Sequence, residues 1–231
     1  MKTIKALGAL LHYPQEELIE ALDDIQQVIE AESLLHPEQA SAVGRCIAGM
    51  RNQALLDLQE QYVQLFDTAP QHALYLFQHL YGDTPQRGPA LADLIGMYRD
   101  HGYQPTAKEL PDYLPLFCEF AAQFPQAEAR SLLGRALPVL ELMAQRLGEE
   151  GSAYAAVFSA LSSLAESNED TAAIEKLLSA RIRGSSDQTM DEAWKEQPVS
   201  FTAAGEQLNH PTGTVNIPVE SVTRIQPVRK R

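Results

Sequence analysis

The apolar residues of this 231-residue chain recur at intervals of three and four, and almost nowhere show the alternation that a half-buried strand requires. Pro14, followed by Gln15, Glu16 and Glu17, opens a helix carrying Leu18, Leu22, Ile25 and Ile29, because proline fits the first turn and carboxylates complement its dipole. Pro37 starts the next, through Val43 and Ile47. Leu55, Leu58, Tyr62 and Leu65 make a further stripe that ends at the turn Thr68-Ala69-Pro70. A short aromatic helix is predicted from Ala73 to Tyr81, broken by Gly82-Asp83-Thr84-Pro85. Another runs from Arg87 to Gly102, with Gly102 as a left-handed stop.

Asp112 has the residue type of an N-cap, with Tyr113 opening a helix and Pro115 at a position where a missing N–H costs nothing. From there Tyr113, Leu116, Phe117, Phe120 and Phe124 form one aromatic and aliphatic stripe. Pro125 opens a long helix through Leu132, Leu140 and Leu147, in which Pro138 lies mid-pattern and is expected to kink it. Tyr154, Val157, Phe158, Leu161 and Leu164 follow, then a more polar helix from about Asp170 to Arg183. The pattern predicts an all-α, single-domain helical bundle of about nine to ten helices over residues 1–184. From residue 185 to 231 the composition turns to Ser, Thr, Asn, Gly and Pro; a largely flexible tail is expected there, with a short helical island near 187–197.

Composition narrows the partners. With 45% apolar and 21% charged residues the chain is ordinary globular protein, and no apolar run reaches the roughly eighteen residues of a membrane helix. Stable membrane insertion is not expected. The apolar Ala6–Leu11 stretch leads at once into acidic helical sequence with no small-residue cleavage site, so it reads as a first helix and the protein as cytoplasmic. Cys46 and Cys118, far apart and among apolar neighbours, read as buried free thiols. The net charge of −13 excludes nucleic acid and favours a basic partner. Through Arg183 there are 13 basic and 25 acidic residues, a body of −12, and no basic residue separates Lys5 from Arg45.

Catalytic constellations are missing. The chain has no phosphate-binding glycine loop, HExxH, paired CxxC or GxSxG. His72 and His79 stand two helical turns apart and could share a metal with Asp67 or Asp83, but a site of that kind needs three or four close ligands. Glu109 and Asp112 could pair as acid and base, yet no nucleophile or phosphate cradle accompanies them. A non-enzyme without a metal or a stably bound cofactor is the reading.

Glu109-Leu110-Pro111-Asp112 followed by Tyr113 resembles the Glu-x-Pro-Asp signature of cytoplasmic molybdoenzyme chaperones, and Tyr62-Val63-Gln64-Leu65-Phe66-Asp67 resembles their aromatic-x-x-Leu-Phe motif. Leu74–His79, Arg87-Gly88-x-Ala90-Leu91-x-Asp93-Leu94 and Asp191–Phe201 are similar to the nitrate reductase branch, the NarJ type or delta protein. The resemblance implies a chaperone that binds the apo catalytic (alpha) subunit of respiratory nitrate reductase through its N-terminal leader-like segment. It also implies holding that subunit for insertion of molybdenum bis-guanine-dinucleotide and delaying membrane docking. The client peptide would then lie on Tyr62, Leu65, Phe66, Asp67, Glu109, Pro111, Asp112, Tyr113 and Phe117, with Arg87, Tyr98 and Trp194 as accessory contacts. The wider family often has His after Pro-Asp; Tyr113 replaces it, so the motif itself supplies no titrating imidazole. A chaperone for a sulfoxide or amine-oxide reductase is the nearest alternative, and a small helical nucleotide hydrolase a remote one.

Overall fold

The computed structural model describes residues 1–105, 109–187 and 225–227, with side chains through Arg183. The periodic segments become α1 Lys2–Ala9, α2 Glu16–Glu32, α3 Pro37–Arg51, α4 Leu55–Tyr62, α5 Leu76–Leu80 and α6 Arg87–Asp100. They continue as α7 Leu114–Ala121, α8 Gln126–Gly134, α9 Leu137–Glu149, α10 Ala155–Leu164 and α11 Glu169–Asp187. Two short strands, β1 Tyr103–Pro105 and β2 Ile225–Pro227, pair antiparallel. The fold is an all-α bundle, and the predicted stop at Gly102 is present at φ +81°.

At the centre lies α7, every residue of which is buried. It packs against α1 so closely that a Cβ on Gly8 would stand 2.6 Å from the Cβ of Cys118, which is why a glycine occupies the crossing. Each fully buried Leu or Phe of α7 contributes about 1.5–3 kcal/mol. Burial also raises both thiols, Cys46 and Cys118, to about 12, so they are inert as well as unpaired. Helix α1 begins without a side chain of its own to cap it. Glu32, the last residue of α2, accepts instead from the N–H groups of Lys2 and Thr3 at 2.9 and 2.7 Å and from the Thr3 hydroxyl at 2.7 Å. Partial burial opposes ionisation of Glu32, but these hydrogen bonds outweigh it and lower its pKa.

Three expectations change. The predicted aromatic helix Ala73–Tyr81 shrinks to Leu76–Leu80, because a 3₁₀ turn at Pro70–His72 comes first and Tyr75 is extended, bridged to Tyr113. The long helix from Pro125 is two helices, and Pro138 lies in the first turn of α9 instead of kinking one rod. The break has a cause: the loop after α10 lies on Gly134, where a Cβ would be 2.0 Å from the Glu166 carbonyl oxygen, and Thr171 donates to the Gly134 carbonyl at 2.8 Å. The last change is at α11, which runs past Gly184 to Asp187. The predicted island near 187–197 otherwise lies outside the described residues, as does Trp194.

Gly134→Ala is expected to destabilise the fold by about 2–4 kcal/mol, since the added methyl meets backbone that cannot move aside cheaply; urea denaturation followed by circular dichroism checks this. His79 is buried, its Nε2 is 2.7 Å from the Ala73 carbonyl, and desolvation lowers its pKa to about 4. The unfolded chain therefore takes up a proton that the folded chain refuses between pH 6.5 and about 4. Stability contributed by His79 is present above that window and lost as pH falls through it, by roughly 3 kcal/mol at most. The measurement is a series of urea melts at pH 7.5, 5.5 and 4.5, in which His79→Gln should lose less stability on acidification than the wild type.

Candidate functional site

The aromatic-x-x-Leu-Phe motif does not simply close α4. After Tyr62 the backbone widens into a π turn over Val63–Asp67, with the Thr68 N–H reaching the Val63 carbonyl at 3.0 Å. Tyr62 and Phe66, four residues apart on one helical face, both reach the core. Their rings lie 4.9 Å apart, Phe66 meets Tyr154 at 5.0 Å, and the Tyr62 hydroxyl donates to the Leu11 carbonyl at 2.9 Å. Leu65 is half-buried and Asp67 exposed.

The Glu-x-Pro-Asp corner is built differently from its sequence reading. Asp112 does not cap α7, whose N-cap is Tyr113. Its side chain is 0% exposed, and Oδ2 accepts from the Phe77 N–H at 3.0 Å while the Asp112 carbonyl accepts from the Leu76 N–H at 3.0 Å. Both donors are orphans of the first turn of α5, so Asp112 caps a helix 35 residues earlier in the chain. The Leu114 N–H in return donates to the Leu74 carbonyl at 2.8 Å, completing the bridge between Tyr75 and Tyr113. Arg87 stands behind, with Nη2 3.9 Å from Asp112 Oδ2 and Nη1 donating to Gln78 Oε1 at 2.6 Å. Burial raises the Asp112 pKa although Phe77 and Arg87 pull it down. Taken alone, this group makes the folded state less stable as pH rises from the ordinary carboxylate range through the raised value.

Of the twelve residues expected at a client surface, Tyr62, Phe66, Pro111, Asp112, Tyr113, Phe117 and Tyr98 are buried in this arrangement. The wall predicted to be open is core, because an aromatic stripe at helical spacing serves packing first. Tyr98 is fully buried and donates its hydroxyl to the Pro111 carbonyl at 2.7 Å, fixing the corner from inside. Arg87 is tied to Gln78 and Asp112. Asp67 remains exposed, and Leu65 and Glu109 are half-buried.

These remnants converge. Tyr75, half-buried, has its pKa raised by burial and then by Glu109, Tyr113, Asp112 and Asp67, so the acidic ends of both motifs act on one phenol. Next to it, the residues of α5 turn into an open cleft of about 400 Å³ between α5, α6, α7, α9 and α11. Leu76, Phe77, Leu94, Met97, Phe117 and Ile174 give it an apolar lining. Its polar members are Asp93, exposed on α6, and the Arg135–Asp170 pair at 2.9 Å. The cleft was missed in sequence because its lining comes from five helices; only Phe117 belongs to the predicted set. An imidazole was missed as well: His12, from the turn after α1, has its ring 6.0 Å from that of Tyr113.

The chemistry available here is recognition. Among the described residues no group of three or more His, Cys, Asp or Glu could hold a metal, and no helix is long and apolar enough to cross a membrane. His72 is 3.2 Å from Glu150, and His79 bonds to Ala73, so the two histidines serve packing.

Comparison with known proteins agrees with the motifs. Residues 14–160 match the family model described as nitrate reductase delta subunit. The chain is 36% identical over 197 residues to the nitrate reductase molybdenum cofactor assembly chaperone NarJ of Escherichia coli K12, covering 85% of this chain and 84% of that one. It is 31% identical over 201 residues to the probable chaperone NarW of the same strain, covering 87% and 84%. With the probable NarJ of Bacillus subtilis strain 168 it shares 36% over 160 residues, 66% and 82% of the two chains. The Escherichia coli NarJ is named as a nitrate reductase molybdenum cofactor assembly chaperone, and the other two relatives as probable ones. The chain belongs to the nitrate reductase delta subunit family of molybdenum cofactor assembly chaperones.

Proposed function

We propose that this protein is a cytoplasmic chaperone for the catalytic subunit of a respiratory nitrate reductase, gripping the apo-subunit by its N-terminal segment. It holds that subunit open for molybdenum bis-guanine-dinucleotide, does not retain the cofactor itself, and delays docking to the membrane until insertion is complete. One observation carries the proposal: the apolar cleft flanked by Phe77 and Phe117 opens beside Asp93, and Leu76 of its lining adjoins Tyr75, on which Glu109, Asp112 and Asp67 act. An apolar trough with carboxylates at its edge suits an amphipathic helix whose polar face is basic. The body charge of −12 speeds encounter with such a segment and fades with salt.

In this reading the client places apolar side chains against Phe77, Met97 and Phe117, and its cations near Asp93, Asp67 and Glu109. The buried motif residues Tyr62, Phe66, Pro111, Asp112 and Tyr113 act from beneath, holding α5 and the corner in place. A peptide of about fifteen residues buries on the order of 1,000 Å² in total, enough for micromolar to nanomolar binding that can still be reversed.

Calorimetric titration with peptides from nitrate reductase N-termini tests the proposal. Asp93→Lys combined with Asp67→Lys should weaken binding tenfold or more, whereas Glu38→Lys on α3 should change it less than twofold. Unaltered affinity in the double variant would remove the cleft from the mechanism. Preference for sulfoxide or amine-oxide reductase peptides would redirect the client, and nucleotide turnover would overturn the chaperone reading. The two carboxylates of the signature corner should also separate by role. Asp112→Ala leaves the Phe77 N–H and the Arg87 charge unmatched and is expected to lower stability by about 2–4 kcal/mol, while Glu109→Ala stays within about 0.5 kcal/mol. Equal melting of the two variants would contradict the capping role of Asp112.

A further inference from the structure

The edge of β1 is the one place among the described residues where backbone pairs as a sheet. The strand is short but anchored from behind: the Tyr103 ring lies 5.8 Å from Phe120 and 6.1 Å from Phe124. It pairs with β2 in the register Tyr103↔Pro227, Gln104↔Gln226 and Pro105↔Ile225. Pro105 and Pro227 have no N–H, so each strand can offer the ladder at most two donors, Tyr103 and Gln104 on β1 and Ile225 and Gln226 on β2. A proline at the end of each strand also stops the ladder from lengthening.

A three-residue ladder is marginal by itself. Tethering changes that, because a segment of the same chain is presented at an effective concentration on the order of millimolar. Charge adds to it: Arg224-Ile225-Gln226-Pro227-Val228-Arg229-Lys230-Arg231 carries four cations and no acid, against a body of −12. The contact thus has the properties of a ligand held by proximity. Backbone pairing sets its register, and its flanking cations are drawn to the acidic body.

We propose that the edge of β1 is a docking site for a short extended peptide with basic flanks, and that the chain's own C-terminal strand is its displaceable occupant. The tail then acts as an intrachain competitor. A partner that offers an extended basic segment must outcompete it, and in doing so frees the tail.

The test uses the full chain and a fluorescent synthetic peptide of residues 222–231. Gln226→Pro in the protein removes one of the two N–H groups of β2, places a fixed φ at the centre of the strand and should unseat it, so fluorescence anisotropy should show the labelled peptide binding this variant at least tenfold more tightly than wild type. Adding Gln104→Pro should abolish the gain while circular dichroism stays unchanged, and a peptide that itself carries Gln226→Pro should fail to bind. Equal binding to wild type and variant would overturn the proposal, as would full binding of the proline-bearing peptide, which would mean that charge alone suffices. A concentration-dependent wild-type dimer that Gln226→Pro dissolves would also overturn it, since the strand would then pass between two copies.

Discussion

The site depends on a carboxylate that leaves its own helix to cap another. Asp112 uses both its side chain and its carbonyl to receive the first two N–H groups of α5, and the return bond from Leu114 to Leu74 closes the pair. Without this link nothing local would start α5, which has five residues, no side-chain cap of its own and no acidic residue in its first turn. Tyr98 clamps Pro111 from the inside and Arg87 balances the charge from the outside. Two sequence motifs 45 positions apart at their aspartates, Asp67 and Asp112, therefore both act on the Tyr75 ring.

This arrangement explains what could be read from the chain and what could not. Helices with strong periodicity, such as α2 with Leu22, Ile25 and Ile29, appear where the pattern puts them, because burial of one face decides both period and position. The two motifs were legible as a pair. Their orientation was not, since a stripe such as Tyr62, Phe66 and Phe117 looks the same whether it faces a core or a client. The capping partner of Asp112 was hidden for a related reason: a side chain followed by a good helix start satisfies the local rule, yet the competing N–H donor, on Phe77, lies 35 residues away. The break at Gly134 was likewise invisible, because it is set by the Glu166 carbonyl and not by anything near Pro138.

The π turn after Tyr62 has a comparable origin. Tyr62 and Phe66, four residues apart, reach Leu11 and Tyr154 from one helical face while Asp67 points outside, and the widened turn lies over this same stretch, Val63–Asp67. The signature residues Tyr62, Phe66, Asp112 and Tyr113 are thus buried and shape the surface that other side chains present.

The caps supplied by Glu32 to α1 and Asp112 to α5 bear on how the molecule opens. Each joins segments 29 and 35 residues apart, so neither helix gains its first turn until the distant partner has arrived. A helix as short as α5 can open as a small cooperative unit without melting α3, α9 or α10, whereas α1 is held by its packing on α7. For α5 this means that one wall of the cleft can be released at the cost of a few hydrogen bonds and a short ladder, leaving the rest of the bundle protected against hydrogen exchange.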